Sequence, residues 1–135
     1  MSLSRLKLLA LLVAIVAPSF GVAEEEVLAP GFSNGIPFLS GGIGDEEREA
    51  IERARKDYNV KIVLTETAGA YISNVNLEIA TILGEPILAL SGAGPLVLIQ
   101  LPPGTYLITA DYDGRKTQRS FDVKDYSAQT VVVAW

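Results

Sequence analysis

The sequence predicts a mainly β chain: a seven-stranded antiparallel Greek-key β-sandwich preceded by one short amphipathic helix. Three observations carry that expectation. From Val60 onward apolar residues recur with a period of two, as they do when alternate side chains enter a core. Gly and Pro cut this region into short runs with no helical stretch between them. The third is the segment from Leu101 to Gly114, which reads as a turn, a strand and a hairpin tip in succession. Pro102 and Pro103 lack the N–H that a ladder needs, so they fall outside it. From Thr105 the side chains alternate, with Tyr106, Ile108 and Ala110 on one face and Thr105, Leu107, Thr109 and Asp111 on the other. Asp113-Gly114 suits a two-residue type I′ turn, whose central positions both need positive φ.

The chain opens on a processing signal. Arg5 and Lys7 form a basic start, and Leu8 to Ala17 form an apolar run. That run is shorter than the ~20 residues of a membrane span. Pro18 and Gly21 break it, and Gly21-Val22-Ala23 offers the small residues a signal peptidase reads. Cleavage is expected before Glu24, which makes residues 1–23 a leader and the mature protein periplasmic or secreted. The leader removes 23 residues and two basic side chains from a 135-residue chain of net charge −5, leaving 112 residues and −7. That length suits one domain. An acidic chain lacks the basic footprint that nucleic acid or an anionic membrane requires. With no Cys, neither a disulfide nor a lipidated cysteine is available. No second apolar run of membrane-spanning length follows.

Residues 24–44 read as an extended arm. Pro30, Gly31, Asn34, Gly35, Pro37, Gly41, Gly42 and Gly44 punctuate it, so no long regular element is expected. Ile36 to Leu39 reads as an extended piece that docks on the domain. Residues 45–58 carry the helix. Asp45 is the expected N-cap. Glu46 and Glu47 suit the positive end of the helix dipole, and Arg55 and Lys56 the negative end. Ala50, Ile51, Ala54 and Tyr58 make a narrow apolar stripe, so the helix belongs on a surface.

Residues 59–135 form the sandwich. Its inward sets are Val60/Ile62/Leu64, Val75/Leu77/Ile79 and Tyr106/Ile108/Phe121, and the last strand carries Val131, Val133 and Trp135 on one face. The Asp113-Gly114 turn places Tyr106 opposite Phe121 and Ile108 opposite Arg119. Leu96 to Leu101 is apolar on both faces, which marks a strand covered on both sides. Taking Leu96 and Leu98 as inward leaves an outer row of Val63, Val97, Ile99 and Leu107. The helix, with Ile51 and Tyr58 facing in, is the expected cover for that row. Left bare, it would be a docking surface.

Leu101-Pro102-Pro103-Gly104-Thr105-Tyr106 and the strand after it resemble the hallmark of carboxypeptidase regulatory-like domains. These are transthyretin-like (prealbumin-like) sandwiches of broadly Ig-like build. Asn74 to Ile79 is similar to that family's early strand. The resemblance covers about Asn59 to Val123. It implies fold, because such domains occur in exported proteins of unlike roles. Some transthyretin-like proteins are hydrolases of a ureide-forming pathway, and that kinship would imply a His-dependent site and a C-terminal Tyr-Arg-Gly-Ser. This chain has no His and ends in Ala134-Trp135.

Without His and Cys, Ser–His and Cys–His nucleophiles and the usual zinc sites are excluded. Asp111 and Asp113 could suggest a calcium loop. Arg115 and Lys116 follow where oxygen ligands belong, so a hairpin tip is expected. Gly41-Gly42-Ile43-Gly44 before a helix could cradle an anion, but Asp45, Glu46 and Glu47 already fill that end with negative charge. Glu46, Glu47, Glu49 and Glu52 read as a solvated helix face. Val131 to Trp135 resembles the last strand of an outer-membrane barrel, yet the aromatic girdles of a barrel are missing. No catalytic residue, metal or cofactor is assigned. The expected role is an exported, non-catalytic interaction or structural module of the cell envelope with an unknown protein or glycan partner. The alternative is a carbohydrate- or peptidoglycan-binding module, for which Tyr71, Tyr112, Tyr126 and Trp135 are the aromatic candidates.

Overall fold

The computed structural model describes residues 27–135. The leader at residues 1–23 and the cleavage point before Glu24 lie outside the described residues. The described elements run β1 (Gly31–Ser33), β2 (Ile36–Gly41), α1 (Gly44–Ala54), a 3-10 turn (Arg55–Asp57), β3 (Val60–Thr65), β4 (Val75–Thr81), β5 (Pro86–Ala93), β6 (Leu96–Ile99), β7 (Gly104–Tyr112), β8 (Arg115–Val123) and β9 (Gln129–Ala134). They form a five-stranded sheet ordered β1-β2-β6-β3-β9 and a four-stranded sheet ordered β5-β4-β7-β8.

Two expectations are corrected. The described strands number nine, not seven, and they are not all antiparallel. The additional strands come from the supposed arm. Asn34 and Gly35 take φ 51° and 78°, which closes β1 and β2 into a hairpin, and β2 pairs with β6. The Gly and Pro residues that suggested irregular chain are accommodated at turns, at the ends of elements and, for Pro37, at the second residue of β2. The parallel pair is β3 and β9, with Ile62 beside Val131. Its partners are distant in sequence, so no local turn announces it.

The main core lies between the sheets. Val60, Ile62, Leu64, Val75, Leu77, Ile79, Tyr106, Ile108, Val131 and Val133 are all buried there, as the period of two requires. The β7–β8 register pairs Tyr106 with Phe121 and Ile108 with Arg119. The Tyr106 and Phe121 rings stack with centroids 5.6 Å apart. Asp113 and Gly114 take φ 53° and 82°, the two positive values of a type I′ turn.

A smaller core sits on the outer face of the five-stranded sheet. Ile51 and Tyr58 are buried there against Leu39, Leu96 and Leu98, with Val63 at the margin. This reverses the predicted faces of β6. Val97 and Ile99 enter the main core, and Leu96 and Leu98 meet the helix. A strand apolar on both faces carries no parity in its sequence. Leu107 lies on the other sheet, half-buried and beyond reach of the helix. Two contacts pin the helical segment: Lys61 to Glu52 at 2.8 Å, and Arg55, which donates to the Tyr58 and Gln129 carbonyls at 2.9 Å each.

The predicted cap is also different. Ile43 holds the N-cap position without a side-chain bond. Glu47 reaches back instead, its Oε1 accepting from the Gly42 and Ile43 N–H groups at 3.1 and 3.0 Å. Asp45 pairs with Arg48 at 2.6 Å.

Candidate functional site

The strand directions give the sandwich two unlike ends. One end, here the proline end, collects the Asn34-Gly35 turn, the β4–β5 turn, residues 100–103 and the loop after β8. Register places them together: Thr81 pairs with Tyr106, Gly104 with Val123, and Val60 with Ile99. Direct bonds tie them. The Ile82 N–H donates to the Thr105 carbonyl at 3.0 Å, and Asn34 Nδ2 donates to the Pro86 and Ile87 carbonyls at 3.2 Å each.

At the centre of this end the Tyr106 hydroxyl donates to the Pro102 carbonyl at 2.5 Å. The ring fills the core while its polar tip closes the turn made by the two prolines. Burial pushes the Tyr106 phenol above its ordinary pKa, and nearby Tyr126 adds to the shift. Around it lie side chains with nothing to cover them. Leu83 is 94% exposed, Phe32 73%, Tyr126 60% and Ile82 59%, and Pro102 and Pro103 are exposed as well. Ile82 and Leu83 are not among the residues the sequence singles out. The available signal was their chemistry, since turns favour Gly, Asn, Asp, Ser and Pro over aliphatic residues.

The opposite end, the hairpin end, carries Gly114, Tyr71, Tyr112 and Trp135. Tyr112 and Trp135 meet edge to face at 6.0 Å. Trp135 Nε1 donates to the Arg115 carbonyl at 2.8 Å, and the Arg115 guanidinium sits 5.6 Å over the Tyr112 ring. Trp135 also packs on the main core. Of the four aromatic candidates, Tyr112 and Trp135 are brought together in this plug. Tyr71, bridged to Thr65, remains separate, and Tyr126 lies at the other end. They make no shared flat platform.

A further candidate is the outer face of the four-stranded sheet. Asn76, Asp111 and Lys116 form one row across β4, β7 and β8, and Glu78, Thr109 and Gln118 form the next. Gln118 Nε2 donates to Thr109 Oγ1 at 3.3 Å. Asn76, Glu78, Thr109, Asp111 and Lys116 line a shallow depression of about 210 Å³. It offers amide, hydroxyl, carboxylate and ammonium groups to a polar ligand.

Several of the other sequence-chosen residues have internal partners. The Gly42 and Ile43 donors are taken by Glu47, so the glycine cradle is filled by the chain's own carboxylate. Asp111 Oδ1 accepts from the Gly114 N–H at 2.9 Å within the hairpin tip. Glu49 lies 4.0 Å from Arg53, and Glu52 holds Lys61. Among the described residues no group of three or more acidic side chains is placed to hold a metal ion. No described helix is long and apolar enough to cross a membrane.

These elements define a two-sheet β-sandwich with a helix on one outer face. No family model and no curated protein matches the chain. Among solved structures it is similar to 5-hydroxyisourate hydrolase of Klebsiella pneumoniae, at 16% identity over 57% of this chain and 84% of that one, with a TM-score of 0.41. The expectation that the chain is not an enzyme is corrected here, because the matching structure is an enzyme's. Its weakness is chemical. Lacking His and Cys removes imidazole and thiol chemistry and leaves carboxylates, amines and hydroxyls. At this identity and TM-score the likeness assigns no activity to this chain either.

Proposed function

We propose that the chain is an exported β-sandwich module of the cell envelope that docks a protein partner through its proline end. The reading includes a transthyretin-like, Greek-key winding of the carboxypeptidase regulatory-like kind, supported by the Leu101 to Tyr106 motif and the Tyr106–Pro102 bond. It also includes removal of residues 1–23 and a periplasmic or secreted location. The observation that carries the docking role is the cluster of bare apolar side chains at one end, Ile82 and Leu83 foremost. Each exposes aliphatic surface to water on a turn held in place by backbone bonds. Burying one such side chain is worth about 1.5–3 kcal/mol. Aliphatic and proline side chains suit protein contact, whereas sugar faces stack on flat rings.

A carbohydrate- or peptidoglycan-binding role is the second reading. The depression lined by Asn76, Glu78, Thr109, Asp111 and Lys116 favours it. One experiment separates the two. A photo-crosslinking residue at position 83 or at position 78 is introduced into the full chain and irradiated in its native envelope. Position 83 should give a discrete protein adduct, and position 78 none. Glycan adducts at 78 with no protein at 83 would overturn the docking role in favour of the second reading.

A further inference from the structure

We propose that Asn34 is a self-deamidation site whose reaction unlatches the first hairpin from the edge of the four-stranded sheet. The chain has four asparagines: Asn34, Asn59, Asn74 and Asn76. The last three precede Val60, Val75 and Leu77, each buried in a strand, where a side chain crowds the peptide nitrogen. Asn34 instead precedes Gly35, whose Cβ position has nothing within 4 Å. Asn34 is exposed and sits at φ 51° in a tight turn. Its neighbouring peptide nitrogen is therefore the least shielded among the four.

The reaction needs only water. The Gly35 nitrogen gives its proton to solvent and bonds to Asn34 Cγ. The Cγ–Nδ2 bond breaks, the nitrogen takes up a proton, and ammonia leaves. Water then opens the five-membered imide at either carbonyl, giving aspartate or isoaspartate at position 34.

The consequence follows from what the amide holds. Asn34 Nδ2 donates to the Pro86 and Ile87 carbonyls at 3.2 Å each. A carboxylate is an acceptor only. After reaction, negative oxygens face two carbonyl oxygens, and attraction becomes repulsion. Isoaspartate adds a backbone methylene as well, which spoils the hairpin register. Ile36 and Phe38, the next inward residues, pack on the main core, so the edge of that core loosens with the turn. The second tie on this side, from the Gly94 N–H to Ser40 Oγ at 3.0 Å, lies at the other end of β2 and stays in place.

The test ages the purified chain at mildly alkaline pH and follows each asparagine by peptide mass spectrometry. Amide loss should concentrate at position 34, leaving Asn59, Asn74 and Asn76 intact. The more acidic species, isolated by anion exchange, should show faster hydrogen exchange over residues 31–41 and unchanged exchange in β7 and β8. Asn34→Asp should reproduce that pattern without ageing. Amide loss at Asn34 no faster than at the other three would overturn the site. Wild-type exchange in both the aged species and Asn34→Asp would overturn the latch.

Discussion

The two ends of the sandwich use similar residue types in opposite ways. At the hairpin end the large side chains Tyr112 and Trp135 are engaged with one another, with Arg115 and with the core. At the proline end Phe32, Ile82, Leu83 and Tyr126 stand largely in water. The lesson is that an exposed apolar group is informative only once its possible internal partners are known. Trp135 looks like a ligand platform in the sequence, yet its indole N–H already has an acceptor. Leu83 looks like turn filler and is the least covered large apolar side chain described.

This contrast predicts different responses to substitution. The largest stability effect belongs to the hairpin end. Gly114→Val forces a β-branched residue to φ 82° and should cost about 2 kcal/mol. A lower urea midpoint with partner binding retained would sharpen the contrast. An unchanged midpoint would show that the tip tolerates another turn.

Tyr106→Phe probes the frame of the proline end and should cost about 1 kcal/mol by removing the bond to Pro102. Its pH dependence has a definite sign. Burial raises the Tyr106 pKa on folding. Its stabilising contribution is therefore complete below the unfolded value of about 10 and is lost as pH rises through the folded value. Wild type should lose stability above about pH 10 more steeply than Tyr106→Phe. Denaturant midpoints measured across that range check this, and parallel curves would contradict it.

The sequence made one half of the fold legible more readily than the other. The β7–β8 hairpin was readable to the register because Asp113-Gly114 sits between alternating residues. Asn34-Gly35 carries the same kind of signal, but the surrounding Gly and Pro mask it with the composition of an arm. The faces of β6 were unreadable because Leu96, Val97, Leu98 and Ile99 are apolar alike. The β3–β9 pairing depends on residues far apart in sequence. At the candidate site, Pro102, Pro103 and Tyr106 stood out by motif. Ile82, Leu83 and Phe32 did not, because exposure is set by tertiary neighbours and not by residue type.

The smallest stability effect is expected where docking is most affected. Ile82→Ser combined with Leu83→Ser removes bare apolar surface and no internal contact of the core. The paired measurement is the urea midpoint of this variant and, with the photo-crosslinking residue moved to exposed position 32 at the same end, its recovery of a crosslinked envelope protein. The expected result is a stability within about 0.5 kcal/mol of wild type, as for surface sites, together with loss of the adduct. Wild-type recovery of the adduct, or a large loss of stability, would show that these side chains serve the fold and not a partner.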